Sequence, residues 1–233
     1  MNTVVGFLSS VIEDIRLMGE VHATDGKADS DRVLNISTID NPGWDVVVLM
    51  NNVTAAWSKP GLLFAWDPGD DSWLRVWCKS SPDRRNATAV HSLVVSGGGR
   101  NLCLVLWVTS QMLSKGVVSD GDVLNAYGRM PGSSVLEQWY TSNCDGEWEH
   151  TFGVRMSIDT NWLLRAEICF TDEYEENNRV ADLVNHNRIT RWTPAREVGR
   201  APYLTMAGSV DEVIDSIELL LCEYIPRKFK PSL

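Results

Sequence analysis

The sequence predicts an α+β fold of two related modules, each a helix, an antiparallel meander of four to five strands and a closing helix, packed pseudo-symmetrically. Three observations predict it. The same order of events occurs twice: "SSVIEDI" at 9–15 parallels "SSVLEQW" at 133–139, and each is followed by an alternating strand, a turn and a tryptophan. No helical pattern separates consecutive strands and their connections are short, which favours antiparallel neighbours. The composition is globular, 44% apolar and 22% charged over 233 residues, enough for one large domain or two small ones. The boundaries read as module one at 1–118, a linker at 119–132 and module two at 133–233.

Taken in order, each copy opens on a helix capped by serine, with apolar residues at helical spacing. The first strand and its return are "RVLNISTIDNPGWDVVVLM" at 32–50 in copy one and "TFGVRMSIDTNWLLRAEICF" at 151–170 in copy two. Val154, Met156 and Ile158 alternate with polar residues at the strand period. Asn41-Pro42-Gly43 is a hairpin turn, matched in copy two by Thr160-Asn161, and Trp44 and Trp162 are read as opening the returning strands. Further strands are "LLFAWD" and "SWLRVWCKS" in copy one and "RITRWT" in copy two. Each copy closes on strand, glycine and helix: "VHSLVVSGGGRNLCLVLWVTSQML" at 90–113 and "PYLTMAGSVDEVIDSIELLLCEYI" at 202–225. Ser209 with Glu212 three residues on is a capping box, and Val213, Ile214, Ile217, Leu220 and Leu221 form a buried stripe. The linker, within "KGVVSDGDVLNAYGRMPGS", is rich in Gly, Asp and Ser.

Charge and cysteine usage exclude several classes. The net charge is −10, so nucleic acid, which needs a cationic footprint, is not an expected partner. Residues 119–233 hold 11 Lys+Arg against 19 Asp+Glu, a net of −8, while residues 1–118 are at −2. Such a field steers basic protein partners, besides keeping the chain in solution. Cys78, Cys103, Cys144, Cys169 and Cys222 are far apart, odd in number and form no CxxC pair, which points to reduced thiols in a cytoplasmic protein. No basic leader with an apolar core and no run of about 18 apolar residues is seen, so no membrane association is expected.

The candidate functional stretch is "CDGEWEH" at 144–150, which follows the apolar run Val135, Leu136, Trp139 and Tyr140. Three uses are open to it. Asp145-Gly146 turns the chain, Trp148 packs on the sheet and Glu149 or His150 ties the loop, which is the structural reading and the favoured one. The same residues suit a protein interface. Glu149 and His150 are also an acid/base pair in composition, but neighbours on an extended segment point to opposite faces. No metal is expected, because Cys144 and His150 lack partners at ligand spacing. "TDEYEENN" at 171–178 is the most acidic run, an ordinary solvated loop or a partner surface anchored by Tyr174. "DPGDD", flanked by Trp66 and Trp73, poses the same choice. "SGGGRN" at 96–101 lacks a phosphate-loop GKS/T, so its glycines read as packing residues.

The run "LEQWYTSNCDGEWEHTFGVRMSIDTNW" resembles the opening motif of immunity protein family 53 of bacterial polymorphic-toxin systems. That family has a helix ending in Trp, then Cys-Asp-Gly-x-Trp-Glu-His, a Gly-led strand and Thr-Leu-Asp-Asn-Pro-Gly-Trp. Copy two keeps Trp139, Cys144, Asp145, Gly146, Trp148, Glu149, His150 and Gly153, whereas Asp40-Asn41-Pro42-Gly43-Trp44 is complete only in copy one. "GGGRNL" is similar to the family's end. "MGEVHATDGKADSDR" in copy one has lost the Trp-Glu-His knot, so copy one reads as a diverged module.

The resemblance implies a non-enzymatic protein that binds and neutralises a cognate toxin, with no cofactor and no catalytic residue. Together with the acidic second half, it makes Asp145, Glu147, Trp148, Glu149 and His150, with Asp172, Glu173, Tyr174, Glu175 and Glu176, the candidate contacts to a basic toxin surface. The alternatives are a small-molecule enzyme with a cleft between the modules, using Asp145, Glu149 and His150, and a non-catalytic scaffold.

Overall fold

The fold is taken from a computed structural model, which describes residues 3–17, 32–40, 42–50, 59–69, 72–82, 89–130, 132–169, 191–193 and 203–221. Along the chain these form α1 (Thr3–Leu17), β1 (Arg32–Ile39), β2 (Gly43–Met50), β3 (Gly61–Trp66), β4 (Leu74–Pro82), β5 (Ala89–Gly98), α2 (Leu102–Lys115), α3 (Asp120–Tyr127), α4 (Val135–Asn143), β6 (Gly153–Asp159), β7 (Leu164–Cys169), β8 (Arg191–Thr193), β9 (Tyr203–Gly208) and α5 (Val210–Leu219). The α+β class and the antiparallel pairing are as the sequence predicts, but the strands are not simple meanders, because β2 pairs with β5 rather than β3 and β7 with β9 rather than β8.

The nine strands among the described residues join one sheet, in the order β3-β4-β5-β2-β1-β6-β7-β9-β8. The halves meet through an antiparallel pairing of β1 with β6, in which Ile36 faces Met156. Outward from that seam the strands run β1, β2, β5, β4, β3 on one side and β6, β7, β9, β8 on the other.

Period-two burial sets the two faces of the sheet. Leu34 and Ile36 of β1, Val46 and Val48 of β2, Met156 and Ile158 of β6 and Ala166 and Ile168 of β7 are all buried. They share one hydrophobic cluster with the apolar stripes of the helices, so the described helices form a layer on one face of the sheet. The predicted stripe Val213, Ile214, Ile217, Leu220 and Leu221 of α5 is buried there too. Ser209 accepts the Glu212 amide and Glu212 accepts the Ser209 amide, completing the predicted capping box.

Two sequence expectations need correction. Ser9 is not a helix cap: α1 begins at Thr3, because Val4, Val5 and Leu8 extend the buried stripe upstream of Val11 and Ile12. Ser10 lies inside the helix and donates its hydroxyl to the Gly6 carbonyl at 3.0 Å. The stretch 119–132 holds α3, started by a capping box between Ser119 and Asp122. Trp162 does not open β7, which begins at Leu164. It sits in the turn at φ 63°, where Asp159 Oδ1 accepts the amides of Asn161 and Leu163 at 2.8 and 3.3 Å. Arg16 of α1 stacks its guanidinium 4.6 Å from the Trp162 ring centroid.

Candidate functional site: the loop between the fourth helix and the sixth strand

Helix α4 delivers the site, and its capping fixes where it starts. Ser134 accepts the Glu137 amide at 3.2 Å, and Glu137 Oε2 accepts the Ser134 amide and hydroxyl, both at 2.7 Å. From there Leu136, Trp139 and Tyr140 fall on one buried face. Tyr140 is fully buried. Its ring meets Trp44 edge-on, with centroids 5.2 Å apart. Its hydroxyl donates to the Ile39 carbonyl at 2.8 Å and accepts the Gly43 amide at 3.3 Å. One side chain of α4 thus closes the β1–β2 hairpin.

The predicted glycines have a steric reason on the same side of the molecule. Trp44 Nε1 donates to the Gly99 carbonyl at 2.7 Å. A Cβ at Gly99 would lie 2.7 Å from Thr141 Cγ2 of α4, and one at Gly97 would lie 2.5 Å from Val105 Cγ2 of α2. "SGGGRN" is therefore a packing device, as its lack of a phosphate-loop lysine suggests.

After Asn143 the chain leaves the helix at Cys144, whose ψ of 121° is extended. Two carboxylates then wind residues 144–150 into a closed loop. Asp145 Oδ1 accepts the amides of Glu147 and Trp148 at 3.0 and 2.9 Å, the usual local bond of an aspartate turn. Glu149 reaches back and accepts the amides of Asp145 and Gly146 at 3.0–3.2 Å. Gly146 takes φ 97°, a conformation that L side chains rarely adopt. Trp148 locks the loop down, with ring centroids 5.4 Å from Trp139, 6.2 Å from Tyr140 and 5.6 Å from Phe152.

This geometry separates the candidate residues by role. Trp148 and Glu149 face inward, and Glu149 is only 6% exposed. Asp145, Glu147 and His150 are exposed. Residues 148–150 form a short 3-10 turn rather than an extended segment, yet Glu149 and His150 still diverge. Glu149 spends its oxygens on backbone amides, while His150 Nδ1 lies 3.4 Å from Asp40 Oδ2 at the tip of the β1–β2 hairpin. Cys144 is not poised as a nucleophile. Burial, and then the charge of Glu149, push its thiol up to about 11, so it stays protonated at neutral pH. Its Sγ donates to the Tyr140 carbonyl at 3.2 Å.

The predicted contacts Asp172, Glu173, Tyr174, Glu175 and Glu176 lie outside the described residues. The sequence reading missed Tyr140 and Asp40. Asp40 was legible as the head of the Asp-Asn-Pro-Gly-Trp hairpin, but its approach to His150 is a contact between residues far apart in sequence, which no local pattern encodes. Among the described residues no group of three or more His, Cys, Asp or Glu is placed to hold a metal ion, and no helix is long and apolar enough to cross a membrane.

Residues 133–212 match the family model of immunity protein 53. The match opens next to the α4 cap, spans the loop and β6–β9, and ends at Glu212 in the α5 capping box, so this part of the chain is similar to an immunity-protein family. No curated protein and no solved structure matches the chain.

Proposed function

We propose that this protein is an immunity protein that binds a cognate toxin in the cytoplasm of the producing bacterium and neutralises it stoichiometrically, by covering a basic surface of the toxin. The observation that carries this reading is the family match over 133–212, which contains the whole Cys144–His150 loop. The −8 charge of residues 119–233 supports it, because like-signed clustering steers a basic partner and speeds encounter. In the loop, Asp145, Glu147 and His150 are the outward groups that meet the toxin, and Trp148 and Glu149 hold them in place. The acidic run Asp172, Glu173, Tyr174, Glu175 and Glu176 extends the contact.

We also infer that residues 1–118 are a diverged copy of the module at 133–233. The matched order of strands on the two sides of the β1·β6 seam supports it, as does the crossing of helices: α4 of module two closes the hairpin of module one, and Arg16 on α1 of module one stacks on the Trp162 turn of module two.

Co-expression with the toxin encoded by the neighbouring gene tests the function. Rescue of growth, a one-to-one complex by native mass spectrometry and tenfold or greater weakening by Glu147→Lys are expected. No complex at micromolar concentrations refutes it.

A further inference from the structure

The two ends of the nine-stranded sheet differ. β8 is three residues long, and shortness is one of the ways in which native sheets blunt an edge. β3 runs for six residues, "GLLFAW", with no charge and no proline among them, and no described strand lies beyond it. Its one blunting device among the described residues is a bulge between Leu62 and Phe64. Gly61, Leu62 and Ala65 are exposed. We propose that β3 is a self-association edge, through which two copies pair antiparallel about a two-fold axis and join their sheets into one.

Apolar side chains flank this edge on both faces of the sheet. Leu62 lies opposite Trp77, on the face away from the buried Val76 and Cys78, and is 49% exposed. Trp66 lies opposite the buried Leu74 on the helical face, where the Tyr127 ring of α3 is 5.4 Å away. Tyr127 and, three residues before it, Leu124 are 40% and 62% exposed, and that spacing puts them on one side of α3. Three of the six exposed large hydrophobics among the described residues thus belong to β3 or to the helix beside it, and such clustering marks an interaction surface.

Charge selects a second copy as the occupant. In a two-fold pairing the strand meets its own reverse, so the start of one β3 faces the end of the other. The exposed residues at those ends are Lys59 before the strand and Asp67 after it. They bear opposite charge and meet twice, and the uncharged strand between them brings no like-charge clash. The chain as a whole is at −10 and repels its own kind, but the repulsion is centred elsewhere. Residues 133–233 hold 17 Asp+Glu against 10 Lys+Arg, a net of −7, and their strands β6–β9 form the opposite end of the sheet. At about 4.8 Å per strand, pairing through β3 keeps the two β6 strands roughly 50 Å apart, against a Debye length of about 8 Å. Pairing through β8 brings the acidic halves together instead.

Analytical ultracentrifugation of the full-length protein tests this. A monomer–dimer equilibrium in the micromolar range is expected, with the amides of residues 61–66 gaining hydrogen-exchange protection as concentration rises. Leu62→Lys, at an exposed position, is expected to weaken the dimer at least tenfold with no change in Tm. Lys59→Asp and Asp67→Lys are each expected to weaken it severalfold, and the double exchange to restore it. The bond that Asp67 makes to the Gly69 amide within its own turn gives no such restoration. A single-chain mass at hundred-micromolar concentration, a dimer unaffected by Leu62→Lys, or a double exchange without rescue overturns the proposal. The assay contains no toxin, so its result is independent of the immunity reading.

Discussion

Tyr140→Phe is expected to destabilise the protein although it removes one oxygen atom. The ring stays against Trp44 and Trp148, so packing is conserved and only the hydroxyl is lost. That hydroxyl serves two backbone groups of the β1–β2 hairpin, the Ile39 carbonyl at 2.8 Å and the Gly43 amide at 3.3 Å. Both then lose this partner, the Gly43 amide at a buried position and the Ile39 carbonyl at a part-buried one, at roughly 1–3 kcal/mol. For a chain of this size each kcal/mol shifts Tm by about 2–4 °C, so the drop is roughly 2–12 °C. Tyr140→Ala also deletes the ring, adding roughly 3–5 kcal/mol. The sum approaches the whole stability of a typical domain, about 5–15 kcal/mol, so this variant is expected to be largely unfolded. Urea denaturation should show a lower midpoint with unchanged slope for Tyr140→Phe, and hydrogen exchange should show Gly43 losing more protection than the rest of β2. A change below about 0.5 kcal/mol with unaltered Gly43 exchange refutes the claim that α4 energetically closes the hairpin.

Glu149→Ala strips the acceptor from the Asp145 and Gly146 amides and is expected to cost roughly 1–3 kcal/mol, with accelerated exchange confined to 144–150; an unaltered loop contradicts the structural role of this acid. Gly153→Ala is expected to lower stability by at least about 1 kcal/mol, because Gly153 sits at φ 146° and an added Cβ collides with Thr38 Oγ1; a neutral result by calorimetry counts against the close approach of β1 and β6. Burial raises the Cys144 thiol from its ordinary 9.0 to about 11. The folded state therefore holds this proton more tightly than the unfolded chain, and the associated stability is complete below pH 9 and is lost as pH rises through about 11. Cys144→Ala should flatten that alkaline decline in urea midpoints measured from pH 8 to 11. Hydrogen bonds from Ser209 depress the Glu212 carboxyl below its ordinary 4.5, so the stability from this cap is present above that value and lost as pH falls through the depressed one. The acid limb of Tm against pH should become shallower in Glu212→Gln.

Periodicity made the sheet legible. Val154, Met156 and Ile158 alternate in the sequence, and all three are buried in β6. Serine-to-acid spacing gave the Ser209–Glu212 cap, while the same signal at Ser119 and Asp122 was hidden by the Gly- and Asp-rich composition around it. The start of α1 was missed because Ser9 and Ser10 mimic a cap, and only burial of Val4, Val5 and Leu8 tells which turn comes first. In the loop, the roles of Asp145, Trp148 and Glu149 followed from local chemistry: a carboxylate beside a glycine turns the chain, and a tryptophan nearby packs. The partners of Tyr140 and His150 could not be read, since they lie about 100 residues away on the β1–β2 hairpin. Trp162 was misplaced because its turn relies on a side chain, Asp159, rather than on glycine, and tryptophan itself takes the left-handed backbone.

The strand pairing at the centre of the sheet also constrains synthesis. Thr38 Oγ1 accepts the Val154 amide across that pairing, and the two residues are 116 positions apart. At roughly 5–20 residues per second, a ribosome needs on the order of ten seconds to make the intervening chain. During that interval the nascent first half carries an unsatisfied row of amides and carbonyls along β1, a template for any other extended chain. The two β1 edges of neighbouring polysomal chains are the nearest such partners, so misassembly between nascent copies is the failure to which this architecture is most open.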